Sequence, residues 1–199
     1  MDEKRLYFIG ILTPPTLREK VYSIKEEFAG RFQSRHALKV PSHITLQEPF
    51  SLRPSDETKI KDALVEFFEK FDPIQMTCKG FGAFAKRSKP VIYIHVLENP
   101  WLSKLRNELQ LFLRKHSFVG EQIATIQPSD HSTVFLPHIS VANRDLSKVN
   151  FRLAWPEFSK RSFDHEFLAE NAHLLRHNGK IWEAVAEFAL IRHPLIQSQ

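Results

Sequence analysis

The feature that most constrains this chain is a repeat. Pro41-Ser42-His43-Ile44-Thr45-Leu46 and Pro137-His138-Ile139-Ser140-Val141 share a core of His-Ile-(Thr/Ser)-aliphatic, with the two histidines 95 residues apart. The surroundings repeat too. Residues 6–12 form a short run of aromatic and branched residues that reads as a buried strand. Thr13-Pro14-Pro15 then opens a helix, because proline is tolerated in a first helical turn, and Leu17, Val21, Ile24, Phe28 and Phe32 recur at helical spacing. A basic stretch (Arg31, Arg35, His36, Lys39) leads to a strand over residues 40–46. Pro54-Ser55-Asp56-Glu57 opens a second helix that Asp72-Pro73 stops, and residues 74–84 read as a strand.

The order then restarts. A basic turn, Lys86-Arg87-Ser88-Lys89-Pro90, precedes a strand over residues 91–97. Asn99-Pro100 opens a helix carrying Trp101, Leu102, Leu105, Leu109, Phe112 and Leu113, a polar loop spans 120–132, and a strand follows over 134–141. A short helix falls within 146–155, then two late strands near 163–175 and 181–191, joined by a turn at His177-Asn178-Gly179-Lys180. A repeat of this kind, with halves near residues 5–85 and 90–191, predicts an α+β fold. We expect one bilobal domain over residues 1–199 with pseudo-two-fold symmetry, its lobes interleaved. Two mainly antiparallel sheets should flank a central groove, with helices outside.

Period-2 alternation assigns the motif faces. His43 and Thr45 share one side of their strand and His138 and Ser140 one side of theirs, while Ile44, Leu46, Ile139 and Val141 face the core. If a two-fold relates the lobes, both polar pairs converge on the groove. Two imidazoles and two hydroxyls suit phosphoryl transfer without a metal. A neutral imidazole takes a proton from water, an imidazolium gives one to the leaving oxygen, and the hydroxyls donate to non-bridging oxygens.

The paired motifs resemble the two-histidine (2H) phosphoesterase superfamily, in its branch of 2′-5′ RNA ligase-like and cyclic phosphodiesterase proteins. The opening Arg5-Leu6-Tyr7-Phe8-Ile9, the Gly80-Phe81-Gly82-Ala83-Phe84 segment and Phe135-Leu136-Pro137 extend the likeness to residues 5–190. The resemblance implies opening of a 2′,3′-cyclic phosphate to a 2′-phosphate, or a related reaction at a 2′-5′ linkage. It makes His43 and His138 the catalytic pair, the first as acid and the second as base, with Thr45 and Ser140 binding phosphate. The rival reading is a non-catalytic module that binds RNA ends or nucleotides in the same groove.

Further candidates for substrate contact are Phe50 and Phe84, near the motif and the turn, the basic Lys86 and Arg87, and Tyr93 and His95, which share one strand face. No cofactor and no metal site is expected. His173 and His177 are four apart, but on a strand and turn that spacing loses its helical meaning, and Cys78 is the lone cysteine. Twenty-eight basic against 23 acidic residues leave a net charge of +5, which favours polyanions such as RNA ends or small cyclic nucleotides. No apolar run reaches membrane-span length, and the first residues lack the pattern of a secretion signal. The expectation is a cytoplasmic monomer with no membrane association and no obligatory protein partner.

Overall fold

The computed structural model describes residues 3–85, 88–116 and 135–193. The sequence-predicted polar loop at 120–132 and the pair Lys86-Arg87 lie outside the described residues. Within the described residues, eight strands and four α-helices run in the order β1 (Arg5–Leu12), α1 (Pro15–Arg31), β2 (His43–Leu52), α2 (Glu57–Phe68), β3 (Ile74–Phe84), β4 (Val91–Val96), α3 (Pro100–Lys115), β5 (His138–Ala142), α4 (Lys148–Phe158), β6 (Asp164–Ala169), β7 (Asn171–His177) and β8 (Trp182–Ala189).

The strands form two four-stranded sheets, ordered β2-β1-β7-β8 and β5-β4-β3-β6, and every neighbouring pair is antiparallel. The two orders are equivalent: each motif strand, β2 or β5, sits at a sheet edge beside the first strand of its own half. The halves exchange their later strands. β3 from the first half joins the second sheet, and β7 and β8 complete the first. The helices cross as well. α1 connects two strands of the first sheet yet packs on β5, and α3 packs on β2. Aromatic contacts secure this interlock: Phe28 of α1 meets Phe158 of α4 at 4.4 Å, and Phe158 meets Phe81 of β3 at 5.3 Å. Phe67 of α2 meets Phe112 of α3 at 4.8 Å, and Phe68 stacks on Phe188 of β8 at 5.5 Å. Each buried ring or branched side chain in this core contributes about 1.5–3 kcal/mol, and helices of both halves cover the first sheet, α2 on β8 and α3 on β2.

Local chemistry explains the helix boundaries. Pro15 occupies the first position of α1. The Asn99 side chain accepts from the amides of Trp101 and Leu102 at the start of α3, and Ser147 accepts from Asn150 at the start of α4. The predicted short helix therefore begins at Lys148 and extends to Phe158, tolerating Pro156 in its last turn.

Three sequence expectations need correction. The second motif strand, expected over 134–141, runs from His138 to Ala142. The first motif strand begins at His43, after a 3-10 turn over His36–Lys39, and runs on to Leu52. The stretch 163–175 is not one strand but two in different sheets, β6 and β7, parted at Glu170, whose carbonyl accepts from the Leu190 amide.

Candidate active site

Both motifs obey the alternation. Ile44, Leu46, Ile139 and Val141 are buried, whereas His43, Thr45, His138 and Ser140 are partly exposed on the opposite face. Those four line one cleft of about 480 Å³ between the sheets.

The two histidines are held alike. His43 Nδ1 lies 2.7 Å from the Pro41 carbonyl oxygen, and His138 Nδ1 lies 2.7 Å from that of Leu136. A carbonyl only accepts, so each Nδ1 carries its hydrogen, and each Nε2 is the nitrogen left for proton exchange. The motif backbones are held alike too. Ser42 accepts from the Thr13 amide at 3.1 Å and Pro137 from the Val96 amide at 3.3 Å. The Thr13 and Ser42 hydroxyls also bond to each other, both buried.

Rings back the imidazoles. Phe8 lies 4.6 Å from His43 and 4.8 Å edge-on from Trp182, while Tyr93 and Phe84 lie 5.0 and 5.2 Å from His138. Burial pushes His43 down to about 4, against the raising effect of its bond to Pro41, and the nearby Lys25 and His138 charges add to the depression. The depression favours a neutral ring in the cleft near pH 7.

A segment after each motif completes the cleft. Asn143 and Arg144 follow β5 and line it, with Arg144 in the left-handed region at φ 53°. The Asp145 carboxylate accepts from Ser34 Oγ at 2.8 Å and from the amides of Arg35 and His36 at 2.7 and 2.8 Å. This clip ties the loop behind the second motif to the turn before the first, and His36 from that turn joins the lining.

The sequence-predicted contacts divide. Phe84 lines the cleft, as does Lys89 of the basic turn. Tyr93 is buried beneath His138 and props the ring rather than lining the space; a Cβ at Gly82 would collide with the Tyr93 ring, so only glycine lets that ring lie where it does. His95 pairs in register with His138 but is not part of the cleft wall. Phe50 is a core residue: β2 continues past the motif with its alternation preserved overall, so Phe50 shares the face of Ile44 and Leu46 and lies 6.3 Å from Tyr7. Sequence reasoning missed Phe8, Trp182, His36, Glu48, Asn143 and Arg144, all of which line the cleft. Phe8 was within reach of it, since it alternates away from the buried Tyr7 and Ile9 of the same strand. Among the described residues no three His, Cys, Asp or Glu side chains are grouped to hold a metal ion, and no helix is long and apolar enough to cross a membrane.

The model of the 2′-5′ RNA ligase superfamily matches residues 13–181, a span that contains both motifs. The chain belongs to this superfamily. Among relatives of this two-histidine phosphoesterase, a provisionally named phosphoesterase of Bacillus pumilus (strain SAFR-032) is 27% identical over 166 residues, covering 83% of this chain and 86% of its own. Another from Geobacillus sp. (strain WCH70) is 28% identical over 169 residues, with the same coverage of both chains. The fold is similar to Escherichia coli LigT complexed with 3′-AMP (TM-score 0.65, 16% identity, 96% of this chain and 100% of that one). It is also similar to TT0787 of Thermus thermophilus (TM-score 0.63, 19% identity, 93% and 97%).

Proposed function

We propose that this phosphoesterase is a metal-independent phosphodiesterase that opens 2′,3′-cyclic phosphates on RNA ends or nucleotides to 2′-phosphates. One observation carries the reading: two imidazoles, each with Nδ1 tied to a backbone carbonyl and a hydroxyl two residues on, line a single cleft. An in-line displacement at phosphorus needs a base on the attacking side and an acid on the leaving side. One Nε2 takes a proton from water as its oxygen bonds to phosphorus. The P–O3′ bond breaks, and O3′ takes the proton held on the other Nε2, leaving a 2′-phosphate and a free 3′-hydroxyl. Thr45 and Ser140 donate to the non-bridging oxygens, where negative charge accumulates. With a 5′-hydroxyl in place of water the same displacement forms a 2′-5′ linkage.

Two further observations support a nucleotide-bearing substrate. The cleft adds aromatic rings (Phe8, Phe84, Trp182) and cations (Lys89, Arg144) to the four motif residues. LigT, which shares the fold, has been crystallised with 3′-AMP, with ATP and with NADP+. The test is incubation of the full chain with 2′,3′-cyclic nucleotides in excess EDTA, with the products resolved by chromatography. The expected result is 2′-monophosphate at an unchanged rate. Binding without turnover supports the RNA-end-binding module instead, and activity lost to EDTA and restored by one divalent ion overturns the metal-free chemistry.

A further inference from the structure

Lys25 is the one charged side chain among the described buried residues, at 3% exposure. It sits on the core face of α1 among Val21, Ile24, Phe28 and Ala29. Among the described residues it has no carboxylate partner; its ammonium donates to the Val40 carbonyl at 2.9 Å. Burying an ammonium with a single neutral acceptor costs stability, so its position calls for a purpose. The next carbonyl along the chain, Pro41, is the one that accepts from His43 Nδ1. The Val40–Pro41 peptide has no N–H of its own, which leaves the Val40 carbonyl as the polar group by which that peptide can be gripped. The second motif has the same His-to-carbonyl bond to Leu136, and no buried lysine among the described residues stands behind it.

We infer that Lys25 is a positioning residue for His43: its buried ammonium grips the peptide adjoining the one whose Pro41 carbonyl orients the imidazole, and it makes a second positive charge there unfavourable. The near-symmetric pair is thereby split. Burial lowers Lys25 to about 8, so it stays charged throughout the range in which His43 titrates. The other charged or titratable groups facing His43 are His138 from β5 and, around the cleft, His36, Glu48, Lys89 and Arg144. The effect of Lys25 on His43 does not rest on the phosphodiesterase reading.

The His43 ring is titrated by NMR in the full chain as wild type, Lys25→Met and Lys25→Arg. Loss of the charge is expected to move the His43 midpoint up by about half to one unit, with Lys25→Arg close to wild type. An unchanged midpoint in Lys25→Met overturns the proposal, because a merely structural lysine alters stability and not the titration. If Lys25→Met folds poorly, Lys25→Gln reads the same loss of charge.

Discussion

Replacing His43 with asparagine separates the ring's charge from its hydrogen bond. An Asn side-chain amide places an N–H near where the imidazole Nδ1–H meets the Pro41 carbonyl at 2.7 Å, but it does not titrate. In the unfolded chain the His43 ring holds a proton below about pH 6.5. In the folded protein it stays neutral down to about 4. Between those values the unfolded state binds one more proton, so acid favours unfolding. The stability that the neutral ring contributes is complete above about pH 6.5 and gone below about pH 4. A gap of about 2.5 units at about 1.4 kcal/mol each sets a ceiling of about 3.5 kcal/mol. His43 also faces an open cleft, whose water screens part of this, so about 1–3 kcal/mol is the range to expect. Urea unfolding of wild type and His43→Asn at intervals from pH 7.5 to pH 4 measures it. Other groups titrate in both proteins and cancel in the difference. The wild type should lose stability relative to the variant as pH falls. Curves that stay parallel would refute the claim that the folded cleft keeps this imidazole neutral.

Six other substitutions test the site. His43→Ala and His138→Ala should each lower kcat/KM on a 2′,3′-cyclic nucleotide by about 10²–10⁴-fold with the fold intact, and Thr45→Ala or Ser140→Ala by about 10²–10³-fold at most; steady-state kinetics alongside circular dichroism checks both halves of that statement. Gly82→Ala should destabilise by about 1–3 kcal/mol and also reduce turnover, because the new methyl group drives the Tyr93 ring towards His138; a stable, fully active variant speaks against the prop. Asp145→Ala removes the acceptor of three hydrogen bonds between the two motif neighbourhoods and should cost about 1–3 kcal/mol in thermal or urea unfolding, with a rise in KM as the Arg144 loop comes free of the His36 turn.

Much of the fold can be read locally because each element signals its own type. The His-Ile-Thr-Leu and His-Ile-Ser-Val strands alternate cleanly, and Asn99-Pro100 caps α3 as such a pair should. What a local signal does not carry is a change of partner. β6 and β7 meet at Glu170 with neither glycine nor proline between them, so composition marks no break. The phase of alternation does mark it: the buried residues are Phe167 and Ala169, then Ala172 and Leu174, with Leu175 buried too beside the register shift at Leu174/Leu175, so the phase slips from odd to even positions at the crossing. That slip coincides with the chain's passage from the second sheet to the first. The same argument moves Phe50 to the core, since carrying the alternation past Leu46 reaches it on the buried face.

The site is legible to the depth at which the duplication is symmetric, and no further. Each motif names its own imidazole and hydroxyl, and both halves tie Nδ1 to a carbonyl in the same way. The groups that close the cleft, Asn143, Arg144 and His36, sit in irregular backbone where period-2 reasoning has nothing to count, and the Asp145 clip ties their two segments together. The difference between the halves leaves a fainter trace. In α1 the spacing that makes Val21, Ile24 and Phe28 a core stripe also admits position 25, four residues after Val21 and three before Phe28. A lysine there lies inside the apolar face, where its stem can be covered by carbon but its ammonium needs a carbonyl. The nearest use for that ammonium in the folded chain is the peptide beside His43. A charge out of phase with its helix is therefore the sequence mark of where two similar half-sites become chemically unequal.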